Sequence, residues 1–156
     1  MRRQNILDVI TNDPGIGFNE IARRTELSNG VVSHHISQLL RDSKIVKLGV
    51  RSKYFHHKIP EKDMKFLMAI KNNTNYDIIE FLLKMEFPVA AEGITKAIKK
   101  SRSTVSVNLK KLEKMQLIGR KILNKNTKLT SDIGFYIQNE EFVKKIFLKY
   151  KLNSIK

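Results

Sequence analysis

Apolar residues recur at helical spacing in three stretches of the first half of the chain. In the first two stretches they lie three or four positions apart, which predicts two short helices that each bury one face. These positions are Ile6, Leu7, Val9 and Ile10 in the first stretch and Phe18, Ile21 and Ala22 in the second. Turn-forming residues 12–15 end the first predicted helix, and Gly17 is the expected cap of the second.

The third stretch, residues 28–41, has one apolar face and one face of short polar and basic side chains. Ser28 is a suitable N-cap, because its hydroxyl can accept a hydrogen bond from a first-turn amide. The apolar positions follow the helical pattern from Val32, and the polar face has no carboxylate before Asp42. Its side chains are of the kind that hydrogen-bond to base edges. We interpret this stretch as a DNA recognition helix.

A β-hairpin is predicted directly after this helix. Residues 45–48 and 53–57 are rich in β-branched and aromatic side chains, and residues 49–52 form a turn between them. The hairpin carries the basic residues Lys47, Arg51 and Lys53, and Pro60 closes the unit. Three helices followed by a basic hairpin indicate a winged helix-turn-helix.

The second half repeats this pattern at a shift of about seventy-three residues, which is the signature of an internal repeat. Paired positions include Ser28 with Ser101, Val32 with Val105, and Ile45 with Ile118. The repeat predicts a second recognition helix over 102–114. It also predicts a second hairpin, with strands at 118–123 and 128–130 around a turn at 124–126.

Two more amphipathic stretches complete the expected domain organisation. Residues 61–71 contain neither Gly nor Pro, so they predict a helix that connects the units rather than a flexible linker. A C-terminal stripe must be buried on its own chain or against a second copy; its members are Phe142, Val143, Ile146, Phe147 and Tyr150. The predicted divisions are domain 1 at 1–60, a connecting helix at 61–73, domain 2 at 74–134 and a packing or dimerisation helix at 135–156.

Composition adds a strong bias toward polyanionic partners. The chain has 30 Lys and Arg residues against 15 Asp and Glu, a net charge of +15, and such charge belongs to proteins that meet DNA, RNA or anionic membranes. It has no cysteine, which excludes thiolate metal sites and disulfides. No apolar run approaches the ~20 residues of a membrane span, and the start lacks a signal-peptide region. We therefore expect a soluble cytoplasmic protein associated with the nucleoid.

Three segments carry a resemblance to a known family. Residues 32–36 (Val-Ser-His-His-Ile) and the turn region 49–54 (Gly-Val-Arg-Ser-Lys-Tyr) resemble the ArsR/MarR-like winged-helix transcriptional regulators. Residues 103–106 (Ser-Thr-Val-Ser) are similar to the MarR-like form. Two such units in one short chain resemble the tandem winged-helix regulators common among archaea. The resemblance covers roughly residues 4–58 and 76–134 and implies both the fold and DNA binding.

The chain departs from that family at a few turn positions. Family members usually have Gly just after the recognition helix, where this chain has Ser43 and Gln116. Gly there relieves left-handed strain, so each substitution is expected to cost about 1 kcal/mol or to shift the helix end. In the second unit, Lys100 replaces an apolar turn residue and Ala90 replaces the cap.

The resemblance implies that the first turns of each recognition helix enter the major groove. The expected base-edge contacts in the first unit are Asn29, Ser33, His34, Ser37 and Gln38, with Arg41 on a phosphate. The expected DNA contacts of the second unit are Arg102, Ser103, Thr104, Ser106, Lys110 and Lys111, and its lysine-rich face is suited more to the phosphate backbone than to bases. The wings would add Lys47, Arg51, Lys53, Arg120 and Lys125. The alternative is that these are ordinary solvated side chains that keep the helices and hairpins soluble.

Metal binding and catalysis have little support. In the pairs His34-His35 and His56-His57, adjacent residues diverge by ~100° on a helix and face opposite sides of a strand, so neither pair is expected to chelate an ion alone. We expect His35 to be a semi-buried polar residue at the core edge. The sequence shows no phosphate-cradling glycine loop, paired carboxylates or activated nucleophile. We predict no metal, no cofactor and no enzymatic activity.

These observations predict a mainly α-helical protein with small β-wings, built from two tandem winged helix-turn-helix domains and a C-terminal amphipathic helix. The expected function is that of a sequence-specific regulator of transcription that binds double-stranded DNA. The alternative is an abundant architectural protein with little sequence preference, and a third possibility is a winged helix used for protein contact within the transcription machinery. A homodimer through the C-terminal helix is a further possible partner.

Overall fold

The computed structural model describes residues 1–123, 132–150 and 152. The protein is mainly helical with two small antiparallel sheets, and it divides into two compact units, Met1–Met68 and Ala69–Lys156. Within the described residues, no helix combines the length and the apolar character needed to cross a membrane.

The first unit has the order of elements expected for a winged helix-turn-helix. Its elements are α1 (Arg2–Asn12), β1 (Ile16–Gly17), α2 (Phe18–Thr25), α3 (Asn29–Arg41), β2 (Ile45–Leu48), β3 (Lys53–His56) and the start of α4 (Glu61–Ile70). The strands form one antiparallel sheet in the order β1-β3-β2. In its register Ile45 lies opposite His56, and Ile16 lies opposite Tyr54.

The core of the first unit is built from the apolar faces that the sequence predicted. Ile6 and Ile10 of α1, Ile21 of α2 and Val32 of α3 are fully buried. They form one cluster together with the inner residues of the sheet, including Tyr54. Burial of each such side chain contributes roughly 1.5–3 kcal/mol, so this cluster fixes how α3 lies on the rest of the unit.

The second unit repeats the same order of elements. They are α5 (Asn73–Leu83), β4 (Val89–Ala90), α6 (Ala91–Ile98), α7 (Arg102–Lys114), β5 (Ile118–Ile122), β6 (Ile133–Ile137) and α8 (Glu140–Lys149). Its sheet has the equivalent order, β4-β6-β5. Helices α2 and α6 have 8 residues each, and helices α3 and α7 have 13 residues each.

Backbone strain recurs at matching places in the two units. Glu26 and Lys99, which follow α2 and α6, have φ of 56° and 55°. Ser43 and Gln116, which follow the C-caps of α3 and α7, have φ of 53° and 59°. The predicted left-handed positions at Ser43 and Gln116 are therefore present.

Three of the five residues of the C-terminal stripe are buried within the second unit. Val143, Ile146 and Phe147 of α8 are 1%, 2% and 8% exposed. The ring of Phe147 stacks on Tyr76 of α5, with centroids 5.7 Å apart. These three side chains are therefore covered within their own unit and are not available to a second copy, whereas Phe142 and Tyr150 are only partly buried.

Several boundaries differ from the prediction. Strands β1 and β4 were not predicted, because two residues are too few to show an alternating pattern. The second hairpin is longer than the first: Ile45 pairs with His56 eleven positions on, whereas Ile118 pairs with Ile137 nineteen positions on. The predicted turn at 124–126 and strand at 128–130 lie outside the described residues, and β6 crosses the predicted domain boundary at 134.

Candidate nucleic-acid interface

Helix α3 presents the polar face that the sequence singled out. Its N-cap is Ser28, whose hydroxyl oxygen accepts a hydrogen bond from the Val31 amide at 3.5 Å. Because Val32, Ile36 and Leu39 are held in the core, the opposite side of the helix faces solvent. The exposed residues of this face, which we call the α3 polar stripe, are Asn29, Ser33, His34, Ser37 and Arg41.

Gln38 differs from the rest of the predicted contact set because it is partly buried and already has a partner. The Nδ1 atom of His35 lies 3.3 Å from the side-chain oxygen of Gln38. His35 is itself partly buried, as expected for a polar residue at the core edge. The pairing holds the Gln38 amide in one orientation beside the α3 polar stripe.

The three cations of the first wing differ in their exposure to solvent. Lys47 on β2 and Arg51 in the turn are exposed, while Lys53 on β3 is only partly so. The turn uses two positive φ values, 80° at Gly49 and 44° at Ser52, which direct Val50 fully into solvent. The tip of this wing therefore exposes one apolar side chain, Val50, and one cation, Arg51.

Helix α7 has a shorter cap hydrogen bond and a more basic face than α3. The Ser101 hydroxyl accepts from the Thr104 amide at 3.2 Å and lies within hydrogen-bonding distance of the Ser103 and Thr104 hydroxyls. Thr104 is partly buried, so the structure gives it a capping role beside its predicted contact role. The remaining predicted residues of this helix are exposed: Arg102, Ser103, Ser106, Lys110 and Lys111.

A groove of about 590 Å³ lies between α6, α7 and the second sheet. It brings together several predicted contact residues of the second unit: Arg102, Ser103, Ser106, Lys110 and Arg120. Two carboxylates, Glu92 and Glu113, line the same groove. The predicted contact residue Lys125 lies outside the described residues.

Arg120 is held by an ion pair that the sequence reasoning missed. Its Nε and Nη2 atoms donate to the two carboxylate oxygens of Glu113, with Nη2 and Oε2 2.8 Å apart. The hydrogen bond from Arg120 lowers the pKa of Glu113 below its ordinary value. Periodicity does not indicate this pair, because Glu113 lies near the end of α7 and Arg120 lies on the strand that follows, seven residues later.

Ion pairs also occupy basic residues at the C-terminal end of α2. Arg23 and Arg24 both donate to Glu20, and Arg24 also contacts Asp13 with a 2.8 Å separation. The hydrogen bond from Arg23, followed by that from Arg24, lowers the pKa of Glu20 to about 2. These arginines were not among the predicted contacts, and their pairing brings the local charge close to neutral.

The histidine pairs correct one expectation. The rings of His56 and His57 do not point to opposite sides, because β3 ends at His56 and the chain turns there; their centroids lie 4.4 Å apart. The Lys58 amide donates to His56 Nδ1, and His57 Nδ1 donates to the Lys44 carbonyl. Among the residues that the structure describes, no three His, Cys, Asp or Glu side chains come together as a metal site.

Comparison with known proteins gives two matches. Residues 1–67 match the model of the family described as HTH_HVO_0163_N, N-terminal HTH domain. The chain is also 28% identical over 122 residues to a protein of Methanocaldococcus jannaschii named "Uncharacterized HTH-type transcriptional regulator MJ1398". That alignment covers 76% of this chain and 30% of the relative, so the chain spans less than a third of the curated relative's length.

The two matches agree with the geometry of the first unit. The family match ends at residue 67, beside the boundary of the first compact unit at Met68. An alignment of 122 residues is longer than that unit, so the likeness to the relative extends into the second unit. The findings support a helix-turn-helix domain of the regulator type in residues 1–67.

Proposed function

We propose that this chain binds double-stranded DNA in a sequence-specific manner and regulates transcription, with α3 as a recognition helix. The observation that best supports this is the α3 polar stripe, an exposed row of Asn, Ser and His side chains on a helix whose other face is pinned in the core. It lies in the unit that matches a helix-turn-helix family. Such side chains suit hydrogen bonding to base edges in the major groove.

The second unit is proposed to act as a second winged helix-turn-helix. Its elements and sheet order repeat those of the first unit, and α7 has the same length as α3. This repetition supports the resemblance to tandem regulators of the ArsR/MarR-like type. Because Arg102, Lys110 and Lys111 dominate its exposed face, we assign α7 mainly to phosphates, which position a protein without reading sequence.

The proposed mechanism is occupancy of a site near a promoter. A protein bound there blocks or assists the basal transcription machinery. The relative's name as a transcriptional regulator supports this role. Since Val143, Ile146 and Phe147 of α8 are buried in their own unit, we propose that site recognition needs no second copy docked on these side chains.

An architectural role is the second candidate. The net charge of +15 and the lysines of α7 favour it, because charge neutralisation of phosphates is independent of sequence. The α3 polar stripe favours specific readout instead. A selection from random duplexes distinguishes the two candidates. Specific readout predicts an enriched motif, and the architectural role predicts no more than an AT bias.

The proposed binding mode is tested by the salt dependence of affinity. For a mixed-sequence duplex of 40 base pairs, six or more phosphate contacts give a slope of log affinity against log salt of roughly −5 or steeper. Replacing Lys110 and Lys111 together by Gln should make the slope shallower by about 1.8. The matched control replaces Lys144 and Lys145 of α8, which pair with Glu140 and Glu141, and should leave the slope unchanged. A wild-type slope near −1 would contradict the proposal.

A further inference from the structure

The exposed face of α7 ends in a carboxylate that has no counterpart on α3. Ser103, Ser106, Lys110 and Glu113 lie on one stripe of the helix and all line the groove beside the second sheet. Glu113 is the one acidic residue of α7. A phosphate that followed this stripe along the groove would meet a negative charge at its end.

Arg120 is the residue that faces this carboxylate. Its guanidinium donates two hydrogen bonds to Glu113 in the parallel arrangement that is strongest for this pair. Both side chains stay accessible, with 50% of Arg120 and 25% of Glu113 exposed. The wing cation therefore lines the groove but is already paired.

The first unit shows what the same position looks like without the pair. Leu40 and Glu113 are each the last residue but one of their helices, and Lys47 and Arg120 are each the third residue of the strand that follows. Since Leu40 cannot accept a hydrogen bond, α3 holds no carboxylate against Lys47. The helix–wing ion pair is thus a property of the second unit.

We propose that Glu113 sets the DNA affinity of the second unit by holding Arg120 in an ion pair across the groove and so withholding it from phosphates. This inference rests on the proposed function, because it requires the groove face of the second unit to meet DNA. To contact a phosphate, Arg120 must break its two hydrogen bonds and leave a bare carboxylate next to the phosphodiester. The pair is therefore an internal brake on the affinity of this unit.

Equilibrium binding to the mixed-sequence 40-base-pair duplex across a range of NaCl concentrations tests the brake. Glu113→Gln should release Arg120, make the salt slope steeper by about 0.9 and tighten binding about fivefold at 150 mM salt. Glu113→Leu, which introduces the residue found at Leu40, should do the same. The gain should vanish in the double variant Glu113→Gln/Arg120→Gln. Far-UV circular dichroism and thermal unfolding are used to check that each variant is folded.

Glu141→Gln is the matched control. It removes one carboxylate from an exposed pair with Lys145 on α8, so it raises the net charge of the chain equally but away from the groove. Tightening by both variants alike would overturn the brake, because net charge would explain it. Weaker binding by Glu113→Gln would also overturn it and would mean that Glu113 aims Arg120 at a phosphate.

The outcomes separate this inference from the function on which it rests. If the wild-type protein binds the duplex with a steep salt slope and Glu113→Gln matches Glu141→Gln, the brake alone is wrong. If the wild-type protein shows no salt-dependent binding, the proposed function is wrong, and the inference about Glu113 is wrong as well.

Discussion

Ser43 and Gln116 hold left-handed backbone conformations just after the two recognition helices, with φ of 53° and 59°. A side chain at such a position costs roughly 1–2 kcal/mol relative to Gly, part of which the greater entropy of Gly in the unfolded chain offsets. The resemblance to the winged-helix family indicated this strain, because family members usually have Gly where this chain has Ser43 and Gln116.

Replacing Ser43 or Gln116 by Gly should raise the free energy of unfolding by up to about 1 kcal/mol. Chemical denaturation of each variant measures the change. The control is Met115→Gly, one residue earlier at φ −79°, where Gly should be destabilising by roughly 0.5–1 kcal/mol. Stabilisation by Met115→Gly as well would show that the left-handed backbone is not the cause.

His56 should make the first unit less stable in mild acid. Burial, and then the charges of His57, Lys58 and Lys44, lower the pKa of His56 in the folded state, and the Lys58 amide donates to its Nδ1. The unfolded chain then binds a proton more readily than the folded one. Stability is complete above the usual value of about 6.5 and falls as the pH drops through that value.

The variant His56→Asn tests this dependence, because its side-chain oxygen can still accept from the Lys58 amide but does not titrate. The free energy of unfolding, measured between pH 7.5 and 5, should decline less steeply in the variant than in the wild type. Parallel curves would show that His56 does not carry the pH dependence.

At the scale of elements, α8 is the helix whose partner the sequence left open. Its periodicity showed that a stripe must be buried, but periodicity does not say against what. In the structure, Phe147 of α8 stacks on Tyr76 of the same unit.

Phe147→Ala should therefore destabilise the second unit by about 3 kcal/mol or more, because it leaves a cavity beside Tyr76. Leu148→Ala is the control: Leu148 is 80% exposed, and its loss should change stability by no more than about 0.5 kcal/mol. Thermal or chemical unfolding measures both. A Phe147→Ala variant with unchanged unfolding that shifted from dimer to monomer in sedimentation would contradict intrachain packing.

The helices were predictable from the sequence and the shortest strands were not. Ser28 and Ser101 predict the starts of α3 and α7, because their hydroxyls are suitable N-caps. The spacing of the apolar residues predicts how far each helix extends. Strands β1 and β4 have two residues each, so their pairing depends on the sheet beside them. Strand β6 lies later in the chain than the repeat predicts for a return strand, because eight additional residues separate Ile118 from Ile137 relative to the first hairpin.

At the scale of the whole molecule, each of the two repeated units contributes one helix to the proposed DNA interface: α3 for bases and α7 mainly for phosphates. The polar stripe of α3 and the basic face of α7 follow from helical periodicity, and the structure exposes most of the residues expected there. The ion pair of Glu113 with Arg120 joins a helix to a strand. Periodicity within one element does not reveal such a contact, so it emerged only from the fold.

Selection from random duplexes at about 150 mM salt, where long-range attraction is screened, tests the central claim most directly. The wild-type protein should enrich a defined motif. The triple variant Ser33→Ala, His34→Ala, Ser37→Ala should lose the sequence preference while keeping most of its salt-dependent affinity for DNA. A second spaced block in the motif would show that α7 reads bases as well. Enrichment of no more than an AT bias, unchanged in the triple variant, would contradict specific readout by α3 and favour the architectural role.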